Sequence, residues 1–334
     1  MRLAALLHAL AVQEGFEDAT LDVVVVLNNC TDGTISEVDR VRELRPELAL
    51  TVVEIEFSDE RAHVGEARRL AMDTAAALAG HHGAILTTDA DAVPPRDWVS
   101  ETLRAFALGA DLVGGRLVAD AEEEAAFGPD FLRRARAICR YHDLCDELAA
   151  LVDPIAHDPW PRHHDHTGAS LAVRADVYRR LGGLDPLPSR EDLAFVSRAR
   201  AAGFRLRHPP SVGLTVSART DGRARGGMAD CLKAWRREEA TGAPILVEPP
   251  EAVERRLFRR ARLRELPDMR PDERRAALAE LGIDPQNAHG LSPAALIELY
   301  ASDEPDAPAT ALASEAIAII VDRIAALRGD LDAA

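Results

Sequence analysis

An α/β layered fold, with a mostly parallel sheet flanked by helices and a helical C-terminal extension, is what this sequence predicts. Three observations carry that prediction. Short apolar runs rich in β-branched residues (22–27, 50–57, 84–88) alternate with stretches of helical spacing (34–44, 64–79). The links between them are short and polar, as in strand–helix–strand units. After about residue 248 the strand pattern disappears and helical spacing is all that remains. The expected division is therefore an α/β domain over 1–245 and a helical extension over 246–334.

Residues 1–13 place Leu3, Leu6, Leu7 and Leu10 on one helical face. The nearly unbroken β-branched run at 22–27 predicts a buried parallel strand. Turn chemistry at 28–33 leads into a helix at 34–44, and a second strand follows at 50–57. An Ala-rich helix spans 64–79, and a third strand spans 84–88 before Asp89-Ala90-Asp91 and Pro94-Pro95 end it. Residues 97–108 read as helix and 110–119 as extended chain. A long helix at 127–152 precedes a Pro/His-rich loop at 153–167, a strand at 168–174 and helices at 175–181 and 192–202. Strand-like chain at 206–217 leads into a basic, Gly-rich loop at 218–227. Residues 251–334 read as helices split by Pro267, Pro285 and a linker at 303–308. Within them 314–327 is amphipathic, with Ser314 as the expected N-cap. Its apolar face has to bury, against the α/β domain by default or against a second subunit in a homodimer.

Composition narrows the function classes. The chain has 334 residues, 47% hydrophobic and 29% charged, as ordinary globular domains do. No apolar run approaches the ~20 residues of a membrane span. The net charge of −16 argues against a nucleic-acid backbone as partner. Lysine occurs once, at Lys233; a GC-rich gene explains that arginine preference more readily than phosphate recognition does. Cys30, Cys139, Cys145 and Cys231 form no CxxC pair, which fits thiols in a cytoplasmic protein. Residues 1–13 are read as a helix rather than a secretory signal, because His8 interrupts the apolar stretch and Gln13-Glu14 stands where cleavage would fall.

Six clusters could carry chemistry. Thr88-Asp89-Ala90-Asp91 follows an apolar strand, and two carboxylates one residue apart can hold a divalent cation that a diphosphate also ligates. A polar strand exit is the plainer reading. Asn28, Asn29 and Asp32 sit between a strand and a helix start, where amides and a helix N-terminus can grip a nucleotide, or simply form a capped turn. Gly65-Glu66-Ala67-Arg68-Arg69 opens a helix, so Arg68 stands either near a nucleotide or in surface salt bridges. Glu191-Asp192 opens another, as dipole complements or as a general base toward an acceptor hydroxyl. Arg219, Arg223 and Arg225 crowd a Gly-rich segment that could close on an anion such as diphosphate, or lie solvated. The last cluster is His157, His163, His164 and His166 with Asp158 and Asp165, residue types that zinc sites use, though without clean ligand spacing. Cys139 and Cys145 are expected to form a core-facing thiol pair on one helix.

In this order, NNCTDGT, GEARRLA, DADAVPPRDWV, VGGR, GASLAVRADVYRRLGGLD, the Glu191-Asp192 pair and SARTDGRARGG resemble the family 2 glycosyltransferases of the GT-A fold, over about residues 1–240. The resemblance implies a Rossmann-like half that binds a nucleotide-diphospho-sugar, with Mn2+ or Mg2+ on the diphosphate. It implies Asp91 as metal ligand and Asp89 on ribose or metal, with base and ribose near Asn28, Asn29 and Arg68. It further implies Asp192, beside Glu191, as the general base of an inverting hexosyltransferase. Arg219 and Arg223 would lie over the diphosphate, and Gly168, Ala169 and Ser170 beside a small-molecule, glycan or lipid acceptor. A retaining enzyme similar to glucosyl-phosphoglycerate synthases is the alternative, and a non-catalytic sugar-nucleotide-binding or regulatory protein is another. The chain departs from the family in three places. It begins in the helix that in the family follows a first strand, so that strand is expected to be missing. Asn28 and Asn29 stand where Asp is common. The late strand offers no metal-binding His, with His208 as a substitute.

Overall fold

In the computed structural model, which describes residues 2–16, 19–222 and 226–333, helix α1 (Arg2–Ala11) buries Leu3, Leu6, Leu7 and Leu10. Their i, i+3, i+4, i+7 spacing puts them on one face, and each fully buried leucine is worth about 1.5–3 kcal/mol of transfer free energy. They share a core with Val38 and Val41 of α2 (Thr34–Leu44) and Trp98 and Val99 of α4 (Trp98–Ala107). This core belongs to the first of two units, formed by Met1–Phe127, His163–Val196 and Arg205–Ala234; the second comprises Gly128–Arg162, Ser197–Phe204 and Trp235–Ala334.

In the first unit β1 (Asp22–Asn28) pairs in parallel with β2 (Ala49–Ile55), from Asp22 opposite Ala49 to Asn28 opposite Ile55, and α2 is the crossover. Val23 and Leu27 are buried, but Val24, Val25 and Val26 stay half-buried, because among the described residues β1 has a strand on one side only. Helix α3 (Val64–Leu78) then leads to β3 (Ala84–Thr88). A second sheet has the order β3, β6 (Ser170–Arg174), β4 (Leu112–Gly114), β7 (Leu206–Arg207), and β5 (Arg116–Ala119) pairs with β8 (Gly213–Val216).

Among the described residues, three of the five strand pairings in this unit run parallel and two antiparallel. β1–β2, β4–β7 and β5–β8 are parallel, whereas β3–β6 and β4–β6 are antiparallel. Between β4 and β5 only glycine fits at Gly115, since a Cβ there would lie 2.0 Å from Ser170 Oγ. Short helices α5 (Ala121–Ala125) and α7 (Ala175–Arg180) follow β5 and β6, and α8 spans Glu191–Ala201.

The second unit is built on helices that open with proline at a position where no backbone N–H is needed: α6 (Pro129–Val152), α10 (Pro250–Glu265), α11 (Pro271–Glu280) and α12 (Pro293–Tyr300). Helix α13 (Ala313–Ala333) buries Ala316, Ile320 and Ile324 against Tyr141, Leu144 and Leu148 of α6, so the amphipathic tail finds cover within its own unit. Ser314 is not a cap, because the helix starts at Ala313 and places it inside the first turn. The strand pattern also does not end at 248: β9 (Leu246–Val247) pairs antiparallel with β10 (Ala311–Leu312), a bridge too short for periodicity to reveal. No two of the four cysteines are joined. The expected core-facing pair of Cys139 and Cys145 is split, Cys139 being exposed and Cys145 half-buried, because six positions along a helix turn through about 600° and end on a different face. Burial pushes the Cys145 thiol up to about 12. No helix among the described residues is long and apolar enough to cross a membrane.

Candidate functional site

Strand register brings the first pieces together. β3 lies against β6 with Thr88 opposite Ser170, so the chain leaving β3 at Asp89 runs beside Gly168, and the Thr87 hydroxyl donates to the Gly168 carbonyl at 2.8 Å. Helix α3 enters from the other side. A Cβ on Gly65 would lie 1.9 Å from the Leu187 carbonyl oxygen, so only glycine lets the start of α3 approach the loop before α8 this closely. One turn later Arg68 reaches both.

Arg68 is the hub of the site. Its Nε donates to Glu191 Oε1 at 2.9 Å, Nη1 to the Gly168 carbonyl at 2.7 Å, and Nη2 to Asp89 Oδ1 at 2.9 Å. A Cβ on Gly168 would sit 2.3 Å from Arg68 Cζ, so this glycine makes room for the guanidinium. The Arg68 side chain is 11% exposed and that of Glu191 4%, against 45% for Asp89. Burial opposes the Arg68 charge, but Asp89, Glu191 and Asp192 more than offset it and raise its pKa above the ordinary value. Asp192 is fixed by two backbone donors: Gly168 N–H to Oδ2 at 2.5 Å and Leu193 N–H to Oδ1 at 2.8 Å. The adjacent Glu191 and Asp192 and the sequence-distant Asp89 thus meet around one guanidinium and one glycine.

Asp91 belongs to a second, adjoining contact. Val93 and Thr215 exchange backbone hydrogen bonds of 2.8 and 3.1 Å in an antiparallel bridge. That bridge runs the chain after Asp91 alongside the chain after β8, and Arg219 Nη2 pairs with Asp91 Oδ2 at 2.8 Å. The two aspartates of the Asp89-Ala90-Asp91 motif therefore each carry an arginine, Arg68 on Asp89 and Arg219 on Asp91. Arg223 and Arg225 lie outside the described residues.

The strand-end cluster at 28–32 divides in its roles. Asn28 ends β1 with a buried Oδ1 that has no hydrogen-bond partner, and Thr88 Oγ1, at the end of β3, is in the same condition. Such oxygens cost about 1–3 kcal/mol each unless something donates to them. Asn29, at φ +51°, uses its amide locally: Nδ2 donates to the Phe57 carbonyl at 2.8 Å and Oδ1 accepts from Phe57 N–H at 2.9 Å. Asp32 Oδ1 accepts from Thr34 N–H at 3.0 Å and opens α2.

The histidine cluster forms no three-ligand metal site among the described residues. His163 is buried and accepts from Asp165 N–H at 3.1 Å, while Asp165 Oδ2 accepts from Leu117 N–H at 3.0 Å. His166 Nδ1 and His208 Nε2 are 3.2 Å apart. Burial, and then the neighbouring His208, push His163 down to about 3, so it stays neutral.

The donor set can be tested against the divalent cation that the sequence resemblance implies. Among the described residues no three His, Cys, Asp or Glu side chains converge. Asp89 and Asp91 alone are hard oxygen donors one residue apart, which fits a Mg2+-like ion that takes one or two carboxylates and completes its shell with phosphate oxygens and water.

Sequence reasoning placed Arg68 on a helix start but not at the centre of the acidic residues, because that depends on Gly168 arriving through β6. It missed Glu123, whose carboxylate accepts from Ser217 Oγ and from Ala218 N–H at 2.8 Å each. Nothing distinguishes that glutamate within the run of three at 122–124.

No protein-family model and no curated protein matches the chain. Among solved structures it is similar to the mannosyltransferase PcManGT from Pyrobaculum calidifontis in complex with GDP-Man and Mn2+. The two are 23% identical with a TM-score of 0.43, over 83% of this chain and 69% of that one. A TM-score of 0.43 does not establish a shared fold.

Proposed function

We propose that this chain transfers a sugar from a nucleotide-diphospho-sugar to a hydroxyl acceptor, with Mn2+ or Mg2+ held by Asp91 and Asp89. The observation that supports this most is the meeting of Asp89, Glu191 and Asp192 at Arg68 and Gly168, with Asp91 on Arg219. Carboxylates are otherwise seldom gathered in this way, since like charges in a part-buried site repel one another.

Each residue then has a distinct task. Asn28 offers its unpartnered Oδ1 to an N–H of the nucleotide. Arg68 neutralises Glu191 and Asp89 and fixes Gly168, so that the acidic groups keep one arrangement. Asp192, oriented by the Gly168 and Leu193 N–H groups, keeps further lone pairs on its oxygens and takes the proton of the acceptor hydroxyl. The acceptor oxygen forms its bond to the anomeric carbon as the bond from that carbon to the diphosphate oxygen breaks. Arg219 leaves Asp91 to donate to the departing diphosphate. A bound divalent cation supplies further positive charge to those phosphate oxygens.

The test is to incubate the protein with nucleotide-sugars and Mn2+ and to measure release of nucleoside diphosphate with and without acceptors. Wild type is expected to release it, and Asp192→Asn to lose at least a hundredfold in rate. An Asp192→Asn variant as active as wild type removes the base assignment. Inverted anomeric configuration of the product supports the single displacement, and retained configuration favours the glucosyl-phosphoglycerate synthase type. Binding of donors without any turnover favours the non-catalytic reading.

A further inference from the structure

We infer that Glu123 is a positioning residue that fixes the root of the arginine loop, so that Arg219 is held over Asp91. The inference deepens the reading above and rests on it for its consequence, although not for its geometry.

β5 and β8 end side by side, with Asp120 N–H donating to the Val216 carbonyl at 2.8 Å. Asp120 caps α5, its Oδ1 accepting from the N–H groups of Glu122 at 3.1 Å and Glu123 at 3.0 Å. That cap turns the chain back on itself, and the Glu123 side chain reaches the residues that leave β8. One carboxylate oxygen accepts from both Ser217 Oγ and Ala218 N–H, at 2.8 Å each. The other accepts from Arg2 Nη2 of α1 at 2.5 Å. Ser217 Oγ in turn accepts from Arg219 N–H at 3.3 Å. Ser217 and Ala218 are buried, whereas Arg219 is half-exposed. The anchored segment therefore stops one residue short of the arginine that meets Asp91. Burial works against the Glu123 charge, yet hydrogen bonds from Arg2, Ser217 and Ala218 hold its carboxyl below the ordinary range, so the anchor is charged at neutral pH.

A carboxylate on three donors is more than this short surface helix needs for its own stability, since the Asp120 cap already provides for that. What the contacts do restrain is the direction in which the chain leaves β8. An arginine that must serve either Asp91 or a diphosphate gains from a fixed root, because less chain entropy is lost when its guanidinium engages.

The test uses the full chain as Glu123→Ala, Glu123→Gln, Arg219→Ala and the Glu123→Ala/Arg219→Ala double variant, with thermal midpoints confirming that each folds. The first readout is the rate of tryptic cleavage after Arg219. Glu123→Ala is expected to raise it roughly tenfold, the worth of hydrogen bonds to a charged group, and Glu123→Gln, which keeps an acceptor oxygen, to raise it less. An unchanged rate in Glu123→Ala overturns the inference whatever the protein binds. The second readout is the affinity for GDP and UDP with Mn2+. Glu123→Ala is expected to weaken binding roughly tenfold alone and not at all in the Arg219→Ala background. Equal losses in both backgrounds show that Glu123 does not act through Arg219, which also overturns the inference. If wild type binds neither nucleotide, the functional reading fails, and the cleavage rates alone decide whether Glu123 holds the loop.

Discussion

Replacing Arg68 with Met keeps an unbranched apolar stem and removes the guanidinium. Glu191, with its side chain 4% exposed, is then left without its cation, and the Gly168 carbonyl loses a donor at 2.7 Å. Breaking a buried ion pair from one side costs about 3–5 kcal/mol. Asp89 is 45% exposed, so water replaces most of what it loses, and its share is under about 1 kcal/mol. The expected loss is about 3–4 kcal/mol, or roughly 10 °C in Tm for a domain of this size. Arg68→Lys should lose about half as much, because one ammonium cannot meet three acceptors arranged for a planar fork. Guanidinium unfolding of both variants at pH 7 measures this. A loss under about 0.5 kcal/mol in Arg68→Met would refute the hub.

Two further outcomes follow from the same geometry. Gly168→Ala puts a Cβ 2.3 Å from Arg68 Cζ and should cost roughly 2–3 kcal/mol by denaturant unfolding, but much less in the Arg68→Met background, where the clashing group is gone. His163 is held near 3 when folded and titrates at ~6.5 when unfolded, so the unfolded chain binds the extra proton between those values. Stability should therefore fall as pH drops below about 6.5, by about 2 kcal/mol at pH 5, and a His163→Gln variant should lose that slope.

The elements that position the site were legible where one pattern decided them. The leucines of α1, the β-branched run of β1 and the helix at Thr34–Leu44 are where their spacing puts them, because burial on one face leaves no alternative. What could not be read was convergence. Arg68 meets Glu191 only because β6 runs antiparallel between β3 and β4, and Asp91 meets Arg219 only through the Val93–Thr215 bridge. Both depend on pairings between distant stretches with no local signature. Asn29 and Asp32 illustrate the reverse limit: residue types suited to gripping a nucleotide are equally suited to closing a turn, and here Asn29 bonds the Phe57 backbone and Asp32 that of Thr34. Glu123 was invisible because its partners, Ser217 and Ala218, are identified by the fold alone.

Whether Asp91 carries a cation that clamps a diphosphate is decided by calorimetric titration of GDP and UDP, with and without Mn2+, into wild type and Asp91→Asn. Wild type should bind at least one of the two tenfold or more tightly with Mn2+, and Asp91→Asn should lose that increment while keeping its Tm. An equal Mn2+ effect in both proteins, or no binding of either nucleotide by wild type, would contradict the account.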